Sequence, residues 1–140
     1  MNENAFVVLP EVTEYTRDFW TGGEDGELRI YRCGDCRHWF HPPRPRCPAC
    51  LSENVGAEAT SGRGTVYSYT VNVKEWNPTW EHPYVFASIE LVEGEDLRVT
   101  SNVRRCEPDD VEIGMPVEVY FEQHDDVWLP LFQPREAADG

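Results

Sequence analysis

The stretch that decides the fold is residues 32–50, which read RCGDCRHWFHPPRPRCPAC. It carries two Cys-x-x-Cys pairs separated by ten residues. Zinc prefers four ligands at tetrahedral corners, with each sulfur at ~2.3 Å, and a two-residue gap lets one tight turn direct two thiolates at the same ion. Gly34 and Pro48 suit such turns, which are often called knuckles. A ten-residue spacer is long enough for a short hairpin that brings the second knuckle opposite the first. The stretch therefore predicts one zinc site, with Cys33, Cys36, Cys47 and Cys50 as ligands.

Two other interpretations of the cysteines are weaker. Disulfides or a redox pair would need an oxidising compartment or a thioredoxin-like strand–helix context, and the sequence indicates neither. His38 and His41 are alternative ligands, but four cysteines already complete the set. Because four thiolates leave no open position for a substrate, we expect the zinc to be structural. Trp39 and Phe40, between the knuckles, are expected to cover the metal site.

Length and charge restrict the classes of function. The chain has 140 residues, enough for one domain or two small modules with a real core. Its net charge of −14 argues against binding to nucleic acid or to an anionic membrane surface. Residues 29–63 nevertheless carry a net charge of +3, which leaves −17 for the remainder. This basic segment either pairs with the acidic parts of the same chain or forms a local site for an anion or a partner.

No targeting segment and no stretch of membrane-spanning length is visible in the sequence. Since the cysteine pattern implies reduced thiols, a cytoplasmic location is the expectation.

The N-terminal part predicts a short helix that starts at Pro10 and ends at Gly22 and Gly23. Its apolar face is strongly aromatic and contains Val12, Tyr15, Phe19 and Trp20. A helix of about ten residues does not hold alone in water, so it must pack on the rest of the domain or on another protein. The sequence leaves both possibilities open.

The rest of the chain is predicted to be mostly β. Residues 27–32 alternate as a strand that leads into the first knuckle, and residues 51–61 are interpreted as a polar link. Five further strands are predicted at residues 65–73, 84–91, 97–103, 115–121 and 128–132. In the first of these, the alternation places Tyr67, Tyr69, Val71 and Val73 on one face. In the second it places Val85, Ala87, Ile89 and Leu91 on one face, and the third alternates through Val99 and Ser101.

Five short antiparallel strands favour a closed OB-type barrel, with a small sandwich as the second choice. The predicted fold is therefore an N-terminal helix, a rubredoxin-like zinc ribbon and a five-stranded OB-fold barrel. The predicted division is residues 1–27 for the helical segment, 28–60 for the ribbon, 61–134 for the barrel and 135–140 for a tail.

Other candidate sites are weaker. The loop 74–83 holds Trp76 and Trp80, and loops with large aromatic residues often contact ligands or partners. Arg63 lies between two glycines but lacks the context of a phosphate-binding loop. Cys106 follows two arginines that would lower the pKa of its thiol if they were close, although a buried small hydrophobic residue is the commoner role. No convincing catalytic set emerges.

An ordered series of motifs resembles a known family. The series begins with Phe19-Trp20-x-Gly22 and continues through the two knuckles, with Pro42-Pro43-Arg44 before the second. It continues with SGRGTVYSYT at residues 61–70, Pro83-Tyr84, the sequence ELVEG at 90–94 and IGMPV at 113–117. Over residues 11–134 the chain is similar to the acyl-CoA-associated OB-fold proteins, which combine a helical segment, a rubredoxin-like zinc ribbon and an OB fold, and which are known as a domain of unknown function.

The resemblance implies a companion role beside a thiolase-like enzyme: a thiolase, an acyltransferase or an aldolase that cleaves CoA-linked steroid side chains. In such assemblies the catalytic residues belong to the partner, and the companion stabilises it and helps to form the acyl-CoA channel. The resemblance thus implies a hetero-oligomer with one structural zinc and with a CoA thioester at the partner interface. Candidate acyl-CoA or partner contacts are Phe19, Trp20, Arg44, Arg63, Trp76 and Trp80. The alternatives are an OB-fold and zinc-ribbon protein that binds nucleic acid, and an enzyme that uses Cys106.

Overall fold

The computed structural model describes residues 12–73 and 84–135, in which a short helical segment precedes a three-stranded sheet and a closed barrel. Helix α1 is Arg17–Thr21, and a 3₁₀ helix follows at Gly22–Asp25. The strands of the first sheet are β1 (Arg29–Cys33), β2 (Trp39–Phe40) and β3 (Val55–Ala59). The strands of the barrel are β4 (Arg63–Asn72), β5 (Tyr84–Leu91), β6 (Arg98–Val103), β7 (Pro116–His124) and β8 (Val127–Pro134). A second 3₁₀ helix, Pro108–Asp110, lies between β6 and β7.

The N-terminal helix is shorter than the sequence predicts. It begins at Arg17, and Pro10, where the predicted helix starts, lies outside the described residues. The Thr13 N–H donates to Thr16 Oγ1 at 2.9 Å, and the Thr16 N–H donates to Thr13 Oγ1 at 3.2 Å. Such reciprocal bonds between side chain and backbone are typical of the start of a helix. They also bind the N–H groups of Thr13 and Thr16 to side chains, which competes with the backbone bonding of a longer helix.

The ribbon is a sheet in which β1 lies between β2 and β3, with both pairs antiparallel. Strand β3 pairs along the whole of β1, from Arg29↔Ala59 to Cys33↔Val55. The interpretation of residues 51–61 as a polar link is therefore wrong. The sequence VGAEA has no apolar–polar alternation, so its strand conformation comes from pairing with β1 rather than from its own pattern.

The predicted closed barrel of five strands is confirmed, with the strand order β4-β5-β6-β8-β7 and closure between β7 and β4. The prediction that all strands pair antiparallel is wrong at one place, because β6 and β8 are parallel. One predicted face is corrected. A bulge between Val66 and Ser68 inserts an extra residue in β4 and brings the Tyr67 ring under Arg98, whose Cζ lies 3.7 Å from the ring centroid. Tyr67 therefore leaves the face on which strict alternation placed it with Tyr69.

The barrel core also holds side chains of the ribbon. The predicted inward face of β5 is buried throughout, and so are Leu97, Val99 and Val103. Leu28 and Ile30, on the approach to the first knuckle, belong to the same buried cluster. The chain is fixed at this junction by two hydrogen bonds, from the N–H and the Oγ1 of Thr60 to the Leu28 carbonyl, at 2.9 and 2.8 Å. The ribbon and the barrel thus share one hydrophobic core.

Among residues 12–73 and 84–135, no helix has the length and apolar character needed to cross a membrane.

Candidate metal centre and interaction surfaces

The four predicted cysteines converge, and their sulfur atoms all lie within 4.8 Å of one another. The Cys33 and Cys50 sulfurs are 3.6 Å apart, as are those of Cys36 and Cys47. Four sulfurs at ~2.3 Å around one tetrahedral zinc ion lie about 3.8 Å from each other, so this spacing fits one ion. The four cysteines are positioned to hold one zinc, which would supply a structural cross-link between the knuckles.

Backbone hydrogen bonds prepare the first cysteine of each knuckle to act as a thiolate. The N–H groups of Asp35 and Cys36 point to Cys33 Sγ at 3.3 and 3.4 Å. The second knuckle repeats this pattern, with the N–H groups two and three residues after Cys47 lying 3.3 and 3.5 Å from its sulfur. The hydrogen bond from Cys36, followed by a smaller one from Asp35, lowers the pKa of the Cys33 thiol to about 6. The thiolate form that zinc requires is therefore favoured before any ion binds.

The two knuckles are geometric repeats. Arg37 and Leu51, each four residues after the first cysteine of its knuckle, both adopt the left-handed conformation with φ of 67°. Their N–H groups donate to the carbonyls of Cys33 and Cys47 at 3.1 and 2.8 Å. The Cys-x-x-Cys spacing alone predicts two thiolates per turn, and the structure shows that the same backbone turn is used twice.

A polar bridge joins the two knuckles. The Asp35 carboxylate accepts hydrogen bonds from Ser52 Oγ at 2.5 Å and from Asn54 Nδ2 at 3.2 Å, and these bonds lower the pKa of Asp35. The Gly34 N–H donates to the Asn54 carbonyl at 2.7 Å, and a Cβ atom on Gly34 would lie 2.6 Å from Asn54 Nδ2. A side chain at position 34 would therefore displace the Asn54 amide from Asp35.

The metal centre is half-covered. Cys33 and Cys47 are buried beside Phe40, which covers the site as predicted, while Cys36 and Cys50 are exposed. Trp39 instead packs against the barrel core, so the prediction that it covers the metal is wrong. Adjacent residues of a strand point to opposite sides, so only one of the pair can reach the metal.

The two histidines lie outside the sulfur cluster. The His38 ring stacks on Phe40, with the centroids 6.3 Å apart, and the His41 ring stacks on Phe19 at 5.0 Å. Burial lowers the pKa of His41 from 6.5 to about 4, so its ring is neutral at pH 7.

Of the predicted contact residues, Phe19 packs within the molecule. Its ring lies against the barrel core, stacks on His41 and meets the Trp20 ring edge-on at a centroid distance of 4.7 Å. Trp20 is half-buried. For Phe19, these contacts support the alternative in which the aromatic face of the helix packs on its own domain.

The candidate arginines are exposed and lie on different parts of the molecule. Arg44 borders a cleft of about 160 Å³ between the ribbon and the turn after β5, which Glu95 and Asp96 also line. Arg63 begins β4. Neither side chain forms an ion pair with a residue in 12–73 or 84–135. Trp76 and Trp80 lie outside the described residues.

Much of the basic segment is paired within the chain. Arg32 and Arg37 both reach Glu58 on β3, each at 3.5 Å, and Arg46 pairs with Glu53. The guanidinium of Arg32 also lies over the Trp39 ring, 4.5 Å from its centroid. For these three arginines, the structure supports the first interpretation of the basic segment, in which its arginines pair with acidic groups of the same chain.

Cys106 does not have the environment of a nucleophile. Burial, together with Asp110 and Glu107, raises the pKa of its thiol. The preceding arginines bind elsewhere: Arg104 to Glu122 at 3.4 Å, and Arg105 to Gln133 at 2.9 Å. The arginines are therefore not placed to lower this pKa, and Cys106 packs as a partly buried apolar residue against the core, which is the role that the sequence favours.

Sequence reasoning missed one surface, the outer side of β4, β5 and β6. Phe86 lies on it with 49% of its surface exposed. A signal was present in the sequence, because the segments SYTVNV, YVFASI and VTSNV from these strands contain no charged residue.

Comparisons with known proteins agree with this architecture. Residues 20–56 match the family described as the ChsH2 rubredoxin-like zinc ribbon domain, and residues 57–122 match the ChsH2 C-terminal OB-fold domain. The chain resembles the solved structure titled Ltp2-ChsH2(DUF35) aldolase with a TM-score of 0.81 and 35% identity, over 90% of this chain and 98% of the other.

Curated relatives have several descriptions. The 3-oxo-4,17-pregnadiene-20-carboxyl-CoA hydratase alpha subunit of Mycobacterium tuberculosis is 35% identical over 93% of this chain and 41% of its own length. A DUF35 domain-containing scaffold protein of Methanocaldococcus jannaschii is 41% identical over 64% of each chain. The benzoylsuccinyl-CoA thiolase subunit BbsA of Thauera aromatica is 30% identical over 74% of this chain and 76% of the relative.

The chain spans about two fifths of the length of the hydratase alpha subunits that it matches. The matches to the two domain families together cover the ribbon and most of the barrel. With its four converging cysteines and its closed five-stranded barrel, this chain belongs to the ChsH2 family of DUF35 proteins, which join a rubredoxin-like zinc ribbon to an OB fold.

Proposed function

We propose that this protein is a non-catalytic, zinc-binding companion subunit of a thiolase-like enzyme that acts on acyl-CoA: a thiolase, an acyltransferase or a steroid side-chain aldolase. The observation that carries the proposal is the likeness to a chain of the Ltp2-ChsH2 aldolase over 90% of this chain and 98% of that one. The relative named as a thiolase subunit supports the same class of partner.

The chemistry of the described residues supports a role without catalysis. The one metal-ligating cluster in residues 12–73 and 84–135 is made of four thiolates, which leave no position open for a substrate. The fifth cysteine is a poor nucleophile, because the pKa of its thiol is raised. In the proposed complex the partner performs the reaction, and this chain stabilises the partner and helps to form its acyl-CoA site.

Arg44 and Arg63 are our candidates for the CoA phosphates or for acidic groups of the partner. Both are exposed and form no ion pair with the described residues, in contrast to Arg32, Arg37 and Arg46. A guanidinium without an internal partner can bind a phosphate in a bidentate manner at no cost in native ion pairs. Trp20, Trp76 and Trp80 remain proposed contacts, whereas for Phe19 the internal packing favours a structural role.

Nucleic-acid binding is the alternative that the OB fold suggests. Because such binding depends on neutralising phosphates, a chain with a net charge of −14 is poorly suited to it. Three of the arginines of the basic segment are moreover engaged by Glu58 and Glu53.

The test is co-expression with the thiolase-like enzyme from the same organism. We expect the two proteins to co-elute, and we expect the enzyme to lose solubility or acyl-CoA turnover when it is expressed alone. The double variant Arg44→Ala/Arg63→Ala should raise the KM for acyl-CoA, with Arg46→Ala as the matched control, because Arg46 is already paired with Glu53. The proposal fails if the two never co-elute and the enzyme is soluble and fully active alone. Turnover by this chain alone would support an enzyme instead.

A further inference from the structure

The outer side of β4, β5 and β6 carries a patch without charge, which borders the paired Glu90 and Arg98 of the next row. Two rows run across it, Ser68–Ser88–Thr100 and Thr70–Phe86–Asn102. Their neighbours along β5 and β6, Ala87, Ile89, Val99 and Ser101, are buried in the barrel, so the residues of the two rows face outward. We call these six residues the uncharged face.

Phe86 stands at the centre of its row, between Thr70 and Asn102, and is 49% exposed. Short polar side chains on both sides leave the ring projecting from the sheet. Interface cores are enriched in aromatic residues and depleted of charge, and the uncharged face has both properties.

The opposite part of the barrel surface differs. On β7 and β8, Glu118 accepts a hydrogen bond from Gln133 at 2.9 Å, and Glu122 is bound by Arg104 at 3.4 Å and by His124 at 2.9 Å. Covering that side would desolvate several charged groups, whereas the six residues of the uncharged face carry no charge to desolvate.

Charge also indicates what covers the uncharged face. A second copy of the chain would bring together two molecules of net charge −14. A nucleic acid or an anionic membrane would find no cation in either row. An uncharged protein surface with a recess for one aromatic ring complements it best.

We infer that the uncharged face is where this chain docks on its acyl-CoA-processing partner, with Phe86 as the central anchor. The inference rests on the proposed function, because it assigns a surface to the same partner. It places the contact on the outer sheet of the barrel rather than on the metal centre.

The test measures the affinity of the full-length, zinc-loaded chain for the thiolase-like enzyme from the same organism. We expect Phe86→Asp to weaken binding at least about 30-fold, since loss of a central anchor combines with burial of an unpaired charge. Ile113→Asp is the matched control, because Ile113 is 70% exposed but lies in the turn before β7, outside the uncharged face. It should bind within about threefold of the wild type, because most residues away from the central anchors change the binding energy little.

A second variant protects the test against misfolding. Thr70→Arg places a charge beside Phe86 at an exposed position, and it should weaken binding about as strongly. Zinc content and thermal midpoint show whether each variant is folded. If Phe86→Asp does not fold, the binding affinity of Thr70→Arg decides the test. If the wild type binds and the folded variants bind equally well, the inference is overturned and the proposed function stands. If the wild type does not bind at all, the proposed function fails first. A chain that is dimeric alone and becomes monomeric with Phe86→Asp would also overturn the inference, because a second copy would then cover the face.

Discussion

The ribbon and the barrel differ in what stabilises each of them. The ribbon has a buried cluster of its own made of Cys33, Phe40 and Cys47, two of which are cysteines of the metal centre. In the part of the chain that the structure describes, thirteen buried residues form the barrel core, which is held by apolar contacts. Small modules that cannot bury enough apolar surface use a metal, whereas a closed barrel does not need one. Strand β1 connects the two, because Ile30 enters the barrel core and Cys33 enters the metal centre.

The largest expected effect comes from breaking the metal centre. Cys33→Ser removes one ligand, and we expect zinc to fall from about one equivalent to none and the ribbon to unfold. Four-ligand zinc contributes on the order of 10 kcal/mol to the folding of small modules. Elemental analysis and circular dichroism would measure both effects. Cys106→Ser is the control, since this cysteine lies outside the cluster and should leave zinc content unchanged. A wild-type protein that is fully folded without metal would contradict the assignment.

The next effect tests whether the two parts unfold together. Ile30→Ala removes a fully buried side chain from the shared core, and such truncations lower the free energy of unfolding by about 2–5 kcal/mol. We expect zinc release and loss of barrel structure to shift to lower denaturant concentration together. Val92→Ala, at an exposed position, should change stability by no more than about 0.5 kcal/mol. Two separate transitions in the wild type would show that the ribbon and the barrel are independent.

Features that depend on local sequence could be predicted, whereas features that depend on pairing between distant strands could not. The ribbon ligands follow from spacing alone, because each Cys-x-x-Cys forms one local turn. The inward faces of β5 and β6 follow from strict alternation, and both are buried as expected. Strand β3 could not be predicted, because its conformation depends on pairing with β1, more than twenty residues away in sequence.

The uncharged face escaped prediction for a related reason. Its two rows exist only through the register of three strands, and a bulge in β4 moves Tyr67 off its predicted face. Neither register nor bulge is encoded in a local period-two pattern. The partner contacts predicted at Phe19 and Trp20 rested on an apolar helical face, and such a pattern does not say whether the face packs inside the molecule or on another protein.

Acidification should weaken the junction between the two parts. His41 stacks on Phe19 and borders the cleft that Arg44, Glu95 and Asp96 line, and burial lowers its pKa from 6.5 to about 4. Between these pH values the unfolded chain binds more protons at this position than the folded chain. Stability is therefore full above pH 6.5 and falls as the pH drops toward 4, by roughly 1 kcal/mol per pH unit.

The matched variant for this effect is His41→Phe, which keeps an aromatic ring and cannot be protonated. Urea unfolding of zinc-loaded wild type and variant at several pH values between 4 and 7 would measure the difference. Protonation of the cysteine ligands affects both proteins alike and cancels in the comparison. We expect the wild type to have the steeper dependence on pH. Equal slopes would show that His41 is not held neutral by burial.

The smallest expected effect comes from the ion pairs of the ribbon, and it distinguishes their contribution to stability from that of the metal. Glu58→Gln removes the charge that Arg32 and Arg37 both approach at 3.5 Å, but this carboxylate is 42% exposed. Exposed ion pairs contribute at most about 1 kcal/mol, and salt screens them. We expect a loss below about 1 kcal/mol in the free energy of unfolding at low salt, a smaller loss at 0.5 M salt, and unchanged zinc content.

Glu95→Gln is the control, because Glu95 forms no ion pair within residues 12–73 and 84–135 and its replacement should show no such salt dependence. If Glu58→Gln instead released zinc, the ribbon would depend on the network around β3 as much as on its four thiolates. A small, salt-sensitive loss would mean that the paired arginines of the ribbon add little to its stability. Their positive charge would then serve mainly to balance the acidic groups beside them, and the metal would remain the dominant support of this half of the molecule.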